Sequence, residues 1–351
     1  MKQILKPFLC LVLLANCIFL RAQDIHFSQF YESPLTLNPA LCGGFEGDLR
    51  AEANYRSQWA GAMGSTDGFN TIAASVEYRN IMQKWRNGFL STGLSFYNDK
   101  SGTAQISMTD VNFTTASGVY LSEHSSIIAG LQAGWSQHSI DLQNVPWGEQ
   151  YINGQYDPNA SSGEPSMGNT FSYFDFSSGL LYRYIRKQST LSSNNHFKLD
   201  LGAAVFHVNQ PNMSYYGQTE SGTQLYMRFV FHGSADFGIP SAPISIVPGF
   251  IFFRQGPAQE INVGGMIRYI PHSKSMYSNN VKESSFSIGA YYRWNDATIL
   301  MMEMEFASYA IGISYDINTS DYVSATSGEG AFEISIRFIN AFSSHSSSSM
   351  Y

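Results

Sequence analysis

The stretch Ser284–Ile317, SSFSIGAYYRWNDATILMMEMEFASYAIGISYDI, reads as three β-strands joined by very short connections. Its first strand, Ser284 to Trp294, sets Phe286, Ile288, Ala290, Tyr292 and Trp294 on one face. Alternation with a period of two is the mark of a strand, because successive side chains point to opposite sides of a sheet. Asn295-Asp296 supplies a turn, and Ala297 to Phe306 follows at once. There Leu300, Met302, Met304 and Phe306 share one face while Glu303 and Glu305 share the other. The two carboxylates stand about 7 Å apart, a spacing that also suits a catalytic pair. On the wall of a barrel the same face is the lumen side, polar by construction, with the Leu and Met residues turned to lipid. Ala307 to Ile317 completes the run.

Working outward, the same pattern recurs along most of the chain. Toward the N-terminus it is found in Leu49–Arg56, Phe69–Asn80, Gly88–Tyr97, Gln105–Leu121, Ser126–His138, Phe171–Arg186, Phe197–Val208, Gln224–Gly238, Pro243–Arg254 and Gln259–Ile270. Toward the C-terminus it returns once, in Gly330–Asn340. Many of these fourteen segments reach ten residues or more, where soluble strands average about half that length. A tilted strand crossing a bilayer needs about 9–11 residues. An even number of antiparallel strands can close and leave no edge in hydrocarbon. The expected fold is all-β: a single antiparallel transmembrane β-barrel of the outer membrane, about fourteen strands, occupying residues 49–340.

Composition agrees. Charged residues make up 13% of the 351-residue chain and aromatics 15%, while mean hydropathy is only −0.15. The charged share is about half that of a soluble protein. After residue 20 no apolar run approaches the ~18 residues of a membrane helix. In a barrel only alternate residues meet lipid, so hydropathy stays modest. Residues 1–22 carry Lys2 and Lys6, an apolar run from Phe8 to Leu20, and then Leu20-Arg21-Ala22. That is the layout of a signal peptide cut after Ala22. Cleavage leaves Cys42 as the one cysteine, with no internal disulfide to form. The formal charge of −7 becomes −10 once Lys2, Lys6 and Arg21 are gone. An acidic chain without a cluster of Lys and Arg is not built for nucleic acid.

If the N-terminus lies in the periplasm, the connections after odd-numbered strands face outward. The longest of them, Ser139–Thr170, then lies outside. It carries Trp147, Tyr151 and Tyr156 among Gly, Asn, Ser and Pro, and the connection Asn209–Thr223 carries Tyr215 and Tyr216. Aromatics in such a setting suit a recognition surface; alternatively the rings fold their loop onto the barrel mouth. The tail after residue 340 is polar and rich in serine.

Residues 23–48 have no usable period. Phe27, Phe30, Tyr31, Leu35, Leu37 and Phe45 are punctuated by Asn38-Pro39 and Gly43-Gly44. Irregular backbone at membrane depth is tolerated only inside protein or water, so this segment is expected to plug or line the lumen.

The start QDIHFSQFY, the turn LTLNPALCGG (Leu35–Gly44) and the strand end Tyr55-Arg56-Ser57-Gln58-Trp59 resemble the N-terminal signature of the PorP/SprF family. Cys42 stands where Ala is usual there. The resemblance continues in Gly93–Lys100 (GLSFYNDK), in Ala129–Gly134 (AGLQAG) and in Ser327–Ser335 (SGEGAFEIS). It makes Asn38, Pro39, Ala40, Gly43, Arg56 and Trp59 motif residues of the N-terminal segment and its surroundings. It implies a component of the Bacteroidota type IX secretion and gliding apparatus. Such a protein supports export and surface anchoring of a cognate secreted protein, an adhesin with a type B C-terminal domain. Its expected partners are that protein, the type IX translocon and outer-membrane lipid. The partner-binding candidates are Trp147, Tyr151, Tyr156, Tyr215 and Tyr216. The alternative is a substrate-selective channel for small or hydrophobic compounds.

An enzyme is not expected. The 8 histidines form no H-E-x-x-H or zinc-like pair, and His207 and His232 read as lumen-facing polar residues. Gly134-Trp135-Ser136-Gln137-His138 lacks the closing glycine of a nucleophile elbow and sits in a strand. Gly43-Gly44 lacks the lysine of a phosphate loop, so no cofactor or metal is expected.

Overall fold

The computed structural model describes residues 24–59, 68–80, 87–102, 104–141, 147–152, 155–157, 159–161, 163, 169–187, 194–215, 224–272, 284–320, 323–326 and 328–340. The proposed signal peptide, the serine-rich tail and Tyr216 lie outside these residues.

Fourteen long strands follow one another: β1 (Leu49–Gln58), β2 (Phe69–Asn80), β3 (Gly88–Ser101), β4 (Ile106–Tyr120), β5 (Ser125–Ser139), β6 (Thr170–Arg186), β7 (Phe197–Phe206), β8 (Arg228–Gly238), β9 (Ile244–Gln255), β10 (Ala258–His272), β11 (Ser284–Arg293), β12 (Ala297–Phe306), β13 (Tyr309–Asn318) and β14 (Glu329–Asn340). Each pairs antiparallel with its sequence neighbours, and β1 closes on β14 through an unbroken register from Leu49↔Asn340 to Gln58↔Ala331. No sheet edge is left along the wall, as hydrocarbon demands. Among the described residues no helix is long and apolar enough to cross a membrane.

Burial runs opposite to that of a soluble fold. In β1, Arg50, Glu52, Asn54 and Arg56 are buried while Ala53 and Tyr55 are exposed. Leu131, Phe174, Leu180 and Met304 stand 58–68% exposed on the outer surface. The polar face points into the lumen and the apolar face into lipid, as the alternation predicts. Glu303 and Glu305 share the lumenal face and both meet Arg337, which joins β12 to β14. They belong to an ion network of the wall.

Boundaries differ from expectation where a residue takes a left-handed φ. His207 (φ 56°) ends β7 one residue after Phe206, and Ala307 (φ 56°) makes a turn with Ser308 before β13. The segment Gln224–Met227, expected to open β8, instead bridges Asn212 and buries Leu225.

The N-terminal segment threads the barrel. Asp24 meets His207, Arg228 and Gln255, all at the end that carries the connections after odd strands. Asp48 bonds Asn340 at the opposite end, where β1 begins. Between them the chain makes three short helical turns, Phe30–Glu32, Pro34–Leu37 and Pro39–Leu41. It therefore runs the height of the lumen. Apart from the backbone bonds of Asp48, its hydrogen bonds to the wall involve a side chain, and the strand ladders close without it.

Candidate functional site

Among the described residues, charged, polar and small side chains from nearly every strand converge on the lumenal segment and its sockets in the wall. Three sets of contacts hold it.

At the loop end is a polar hub. The backbone N–H groups of Ser28 and Gln29 donate to the two carboxylate oxygens of Glu333, at 2.7 and 2.9 Å. Ser28 Oγ lies 2.7 Å from Asp316 Oδ2 and accepts from Arg56 Nη1 at 2.9 Å and Arg293 Nη2 at 2.6 Å. Arg56 is also bonded to Glu333, and Arg293 lies 3.2 Å from Asp316. Two guanidinium groups and two carboxylates thus surround one hydroxyl, with every side chain nine-tenths buried or more. Buried charges persist only when paired and hydrogen-bonded in this way.

Nearby, His207 lies between two carboxylates, with Nε2 2.6 Å from Asp24 and Nδ1 3.0 Å from Asp175. Arg228 adds a cation 3.2 Å from Asp24. Burial alone lowers the pKa of His207, but Asp24 and Asp175 outweigh it and push it up to about 9. Burial likewise opposes the charge on Asp24, and His207 with Arg228 overrides it and holds that carboxyl well below the usual range. A histidine whose folded pKa is raised contributes stability fully below its unfolded value near 6.5 and loses it as pH rises through about 9. Imidazole titration followed by NMR is expected to show a midpoint near 9, with residues around Asp24 loosening above it; a midpoint near 6.5 would show that Asp24 and Asp175 do not clamp His207.

In the middle of the lumen sits the Asn38-Pro39-Ala40 turn. Asn38 is fully buried; its Oδ1 accepts from Ala40 N at 2.8 Å and its Nδ2 donates to Leu180 O at 3.1 Å. His232 stands 3.0 Å from the same amide nitrogen, so this histidine is a lumenal partner of the turn. The wall is stripped to make room. A Cβ on Gly130 of β5 would collide with the Pro39 backbone, and one on Gly179 of β6 with Asn38 Oδ1. Gln132 donates to Leu35 O at 3.2 Å.

At the other end Gly43 (φ 72°) turns the chain against Ser91, whose hydroxyl donates to Cys42 O at 2.7 Å. Glu77 accepts from Gly43 N at 2.9 Å and pairs with Arg50 at 2.7 Å. Cys42 is fully buried with Leu35, Ala40, Phe89 and Leu181. Burial, reinforced by Glu77, pushes its thiol up to about 12. Since the thiolate is the reactive form, Cys42 is expected to resist alkylation at pH 8 until the protein is denatured; prompt labelling of the folded barrel would contradict the plugged lumen.

The motif residues Asn38, Pro39, Ala40, Gly43 and Arg56 are brought together around the segment. Trp59 is not: it lies at the rim of β1, its ring against Phe69 at 5.4 Å. Of the loop candidates, Tyr151 and Tyr156 face each other across a two-residue ladder with rings 5.5 Å apart, and both are exposed. Trp147 is half-buried beside them, at the start of the turn Gly148–Gln150. Tyr215 is half-buried too, edge-on to Phe171 at 4.7 Å, and so folds onto the barrel mouth. Reading of the sequence missed Ser28, Gln29, Glu333, Asp316, Arg293, Gly130 and Gly179 as a group. The signal available was glycine inside strand patterns, which marks close approach of another backbone.

Among the described residues no cluster of three or more His, Cys, Asp or Glu is placed to hold a metal.

A closed antiparallel barrel with an apolar belt outside, charge inside and a lumenal N-terminal segment defines an outer-membrane β-barrel protein. The chain is also similar to several solved structures. They include the TodX monoaromatic hydrocarbon channel (deltaS2 mutant; 8% identity, TM-score 0.45, 89% of this chain and 94% of that one). Another is BamA from Haemophilus ducreyi lacking POTRA domains 1–3 (11% identity, TM-score 0.40, 84% and 70%). Among curated proteins no significant match was found. The family model of the type IX secretion system membrane protein PorP/SprF matches residues 20–338. The chain belongs to this PorP/SprF family and is an outer-membrane component of type IX secretion. The stretches that carry the family resemblance meet in space at the lumenal segment: Ser28 and Gln29, Arg56, Gly93, Gly130 with Gln132, and Glu333.

Proposed function

We infer that this barrel is a non-enzymatic partner in secretion: it supports export of a cognate secreted protein and holds that protein's C-terminal domain at the cell surface. Family membership sets the frame. The observation that carries the finer reading is the exposed Tyr151–Tyr156 pair on the longest connection, rigid aromatic area presented at the loop end. The loop end faces outward, and the signal peptide is cut after Ala22. The barrel supplies the anchor, since fourteen closed strands leave the bilayer only by breaking backbone hydrogen bonds in hydrocarbon. A protein held by it needs no lipid of its own. A lumen occupied along its height speaks against an open pore, the passive form of the channel alternative, so bilayer recordings are expected to lack a steady, large conductance; a substrate-selective channel for small or hydrophobic compounds remains the second reading.

Deleting Pro146–Gly163 is expected to release the cognate protein into the medium while the barrel remains heat-modifiable on gels. A partner retained at the surface at normal levels would show that the loop is not the docking element.

A further inference from the structure

We propose that the hub formed by Arg56, Arg293, Asp316 and Glu333 is a peptide-binding socket, filled in cis by the chain's own Ser28-Gln29 and open to an extended segment of another polypeptide in trans. The geometry is that of a recognition site. One carboxylate takes two consecutive backbone N–H groups, and the four charged groups centre on one small hydroxyl. Nothing in this pattern requires the ligand to be covalently part of the barrel. The wall closes through fourteen ladders, and the segment makes no strand pairing with it. It can leave without exposing a wall hydrogen bond to lipid.

The fit in cis is incomplete. Asp316 Oδ1, Ser314 Oγ and Gln29 Nε2 are buried without a hydrogen-bond partner among the described residues. Ser314 and Asp316 lie two apart on the lumenal face of β13, and Ser314 is paired with Glu333 across the ladder. Buried polar groups are ordinarily satisfied, so each orphan marks a hydrogen bond left unmade. Two of these, Asp316 Oδ1 and Ser314 Oγ, belong to the wall, so the socket offers more hydrogen bonds than its own segment uses. A ligand with a further donor beside the hydroxyl would complete it. The site is near the loop end, where strand ends from β1, β11, β13 and β14 meet, so a segment arriving at that mouth reaches it first. Deeper in the lumen, the Asn38 turn is wedged between glycines and apolar side chains, and stays behind. That the arriving segment comes from a secreted partner rests on the function inferred above; the socket itself does not.

The test uses the full chain in lipid nanodiscs with a synthetic peptide of sequence DIHFSQFYES, matching residues 24–33. The tether gives the native segment an effective concentration on the order of millimolar, so the peptide is titrated to several millimolar. Amide exchange of residues 24–33 and 34–47 is followed by mass spectrometry, in wild type and in His207→Ala, which weakens the neighbouring clamp. The expected result is an about tenfold, peptide-dependent acceleration confined to residues 24–33, larger in His207→Ala. The same peptide with Val in place of the serine that matches Ser28 is expected to have no effect. Exchange unchanged by peptide in both proteins overturns the proposal, as does equal acceleration by the valine peptide or joint opening of residues 34–47. No secreted partner is present, so these outcomes are independent of whether the barrel anchors one.

Discussion

Gly179→Val is expected to make Cys42 reactive toward thiol reagents that leave the wild-type barrel untouched. Gly179 is held on both sides, paired with Gly130 of β5 and Ala204 of β7, so the wall cannot retreat. A Cβ there already overlaps Asn38 Oδ1, and the methyl groups of valine extend further into the turn. Overpacking of this kind costs about 1–3 kcal/mol, and losing the Asn38 cap on Ala40 about 1 more. The weaker side gives way, and that is the segment, which has no ladder of its own. Once the Asn38-Pro39-Ala40 turn is displaced, Leu35, Ala40 and Cys42 lose their burial together, because they share one apolar cluster. The thiol then loses the desolvation that holds it at about 12. Labelling at pH 8 should go from none to complete within the assay, accompanied by a steady conductance absent from wild type. Ala129→Val, beside Gly130 but on the lipid face, is the control and should change neither. A Gly179→Val barrel that stays unlabelled and closed would mean the wall, not the segment, adapts.

The wall was legible in the sequence, and so was the segment's place inside it; the segment's path was not, for a physical reason. Strands such as Phe69–Asn80 and Ala297–Phe306 are determined by local alternation, and both span the residues their pattern indicated. Polar-in, apolar-out placement followed from low charge, since a barrel inverts the usual rule. The path of residues 24–48 depends instead on contacts with residues far along the chain: Ser28 with Glu333, Asp24 with His207, Asn38 with Leu180. No periodicity encodes such pairs. Irregularity and aromatic content say that the segment belongs inside; they do not say that it runs from one mouth to the other. The charges that hold it were visible as isolated lumenal residues, Arg56, Arg293 and Glu333, without any sign that they meet. On the loops, aromatic content alone did not separate Tyr151 and Tyr156, which are exposed, from Tyr215, which packs on Phe171.

The second large effect is expected from breaking the Arg56–Glu333 pair. Both side chains are buried to about 95% or more, so removing one partner leaves a charge in a poorly solvated place. Such a loss typically costs about 3–5 kcal/mol, whereas replacing both by apolar groups of similar volume is often close to neutral. Arg56→Met is therefore expected to lower the unfolding free energy in lipid vesicles by that amount. Glu333→Leu should do so by a similar amount, since it also strands the N–H groups of Ser28 and Gln29. The double variant should recover much of the loss, though not all, because those two amides remain without their acceptor. Arg293 and Asp316 stay paired with each other at 3.2 Å and keep the rest of the hub neutral. A thermodynamic cycle on denaturant unfolding measures the coupling directly, and a coupling of at least about 2 kcal/mol is the expected outcome. Strictly additive losses would show that Arg56 and Glu333 act on the segment separately, and the hub would then be two independent contacts with Ser28 between them.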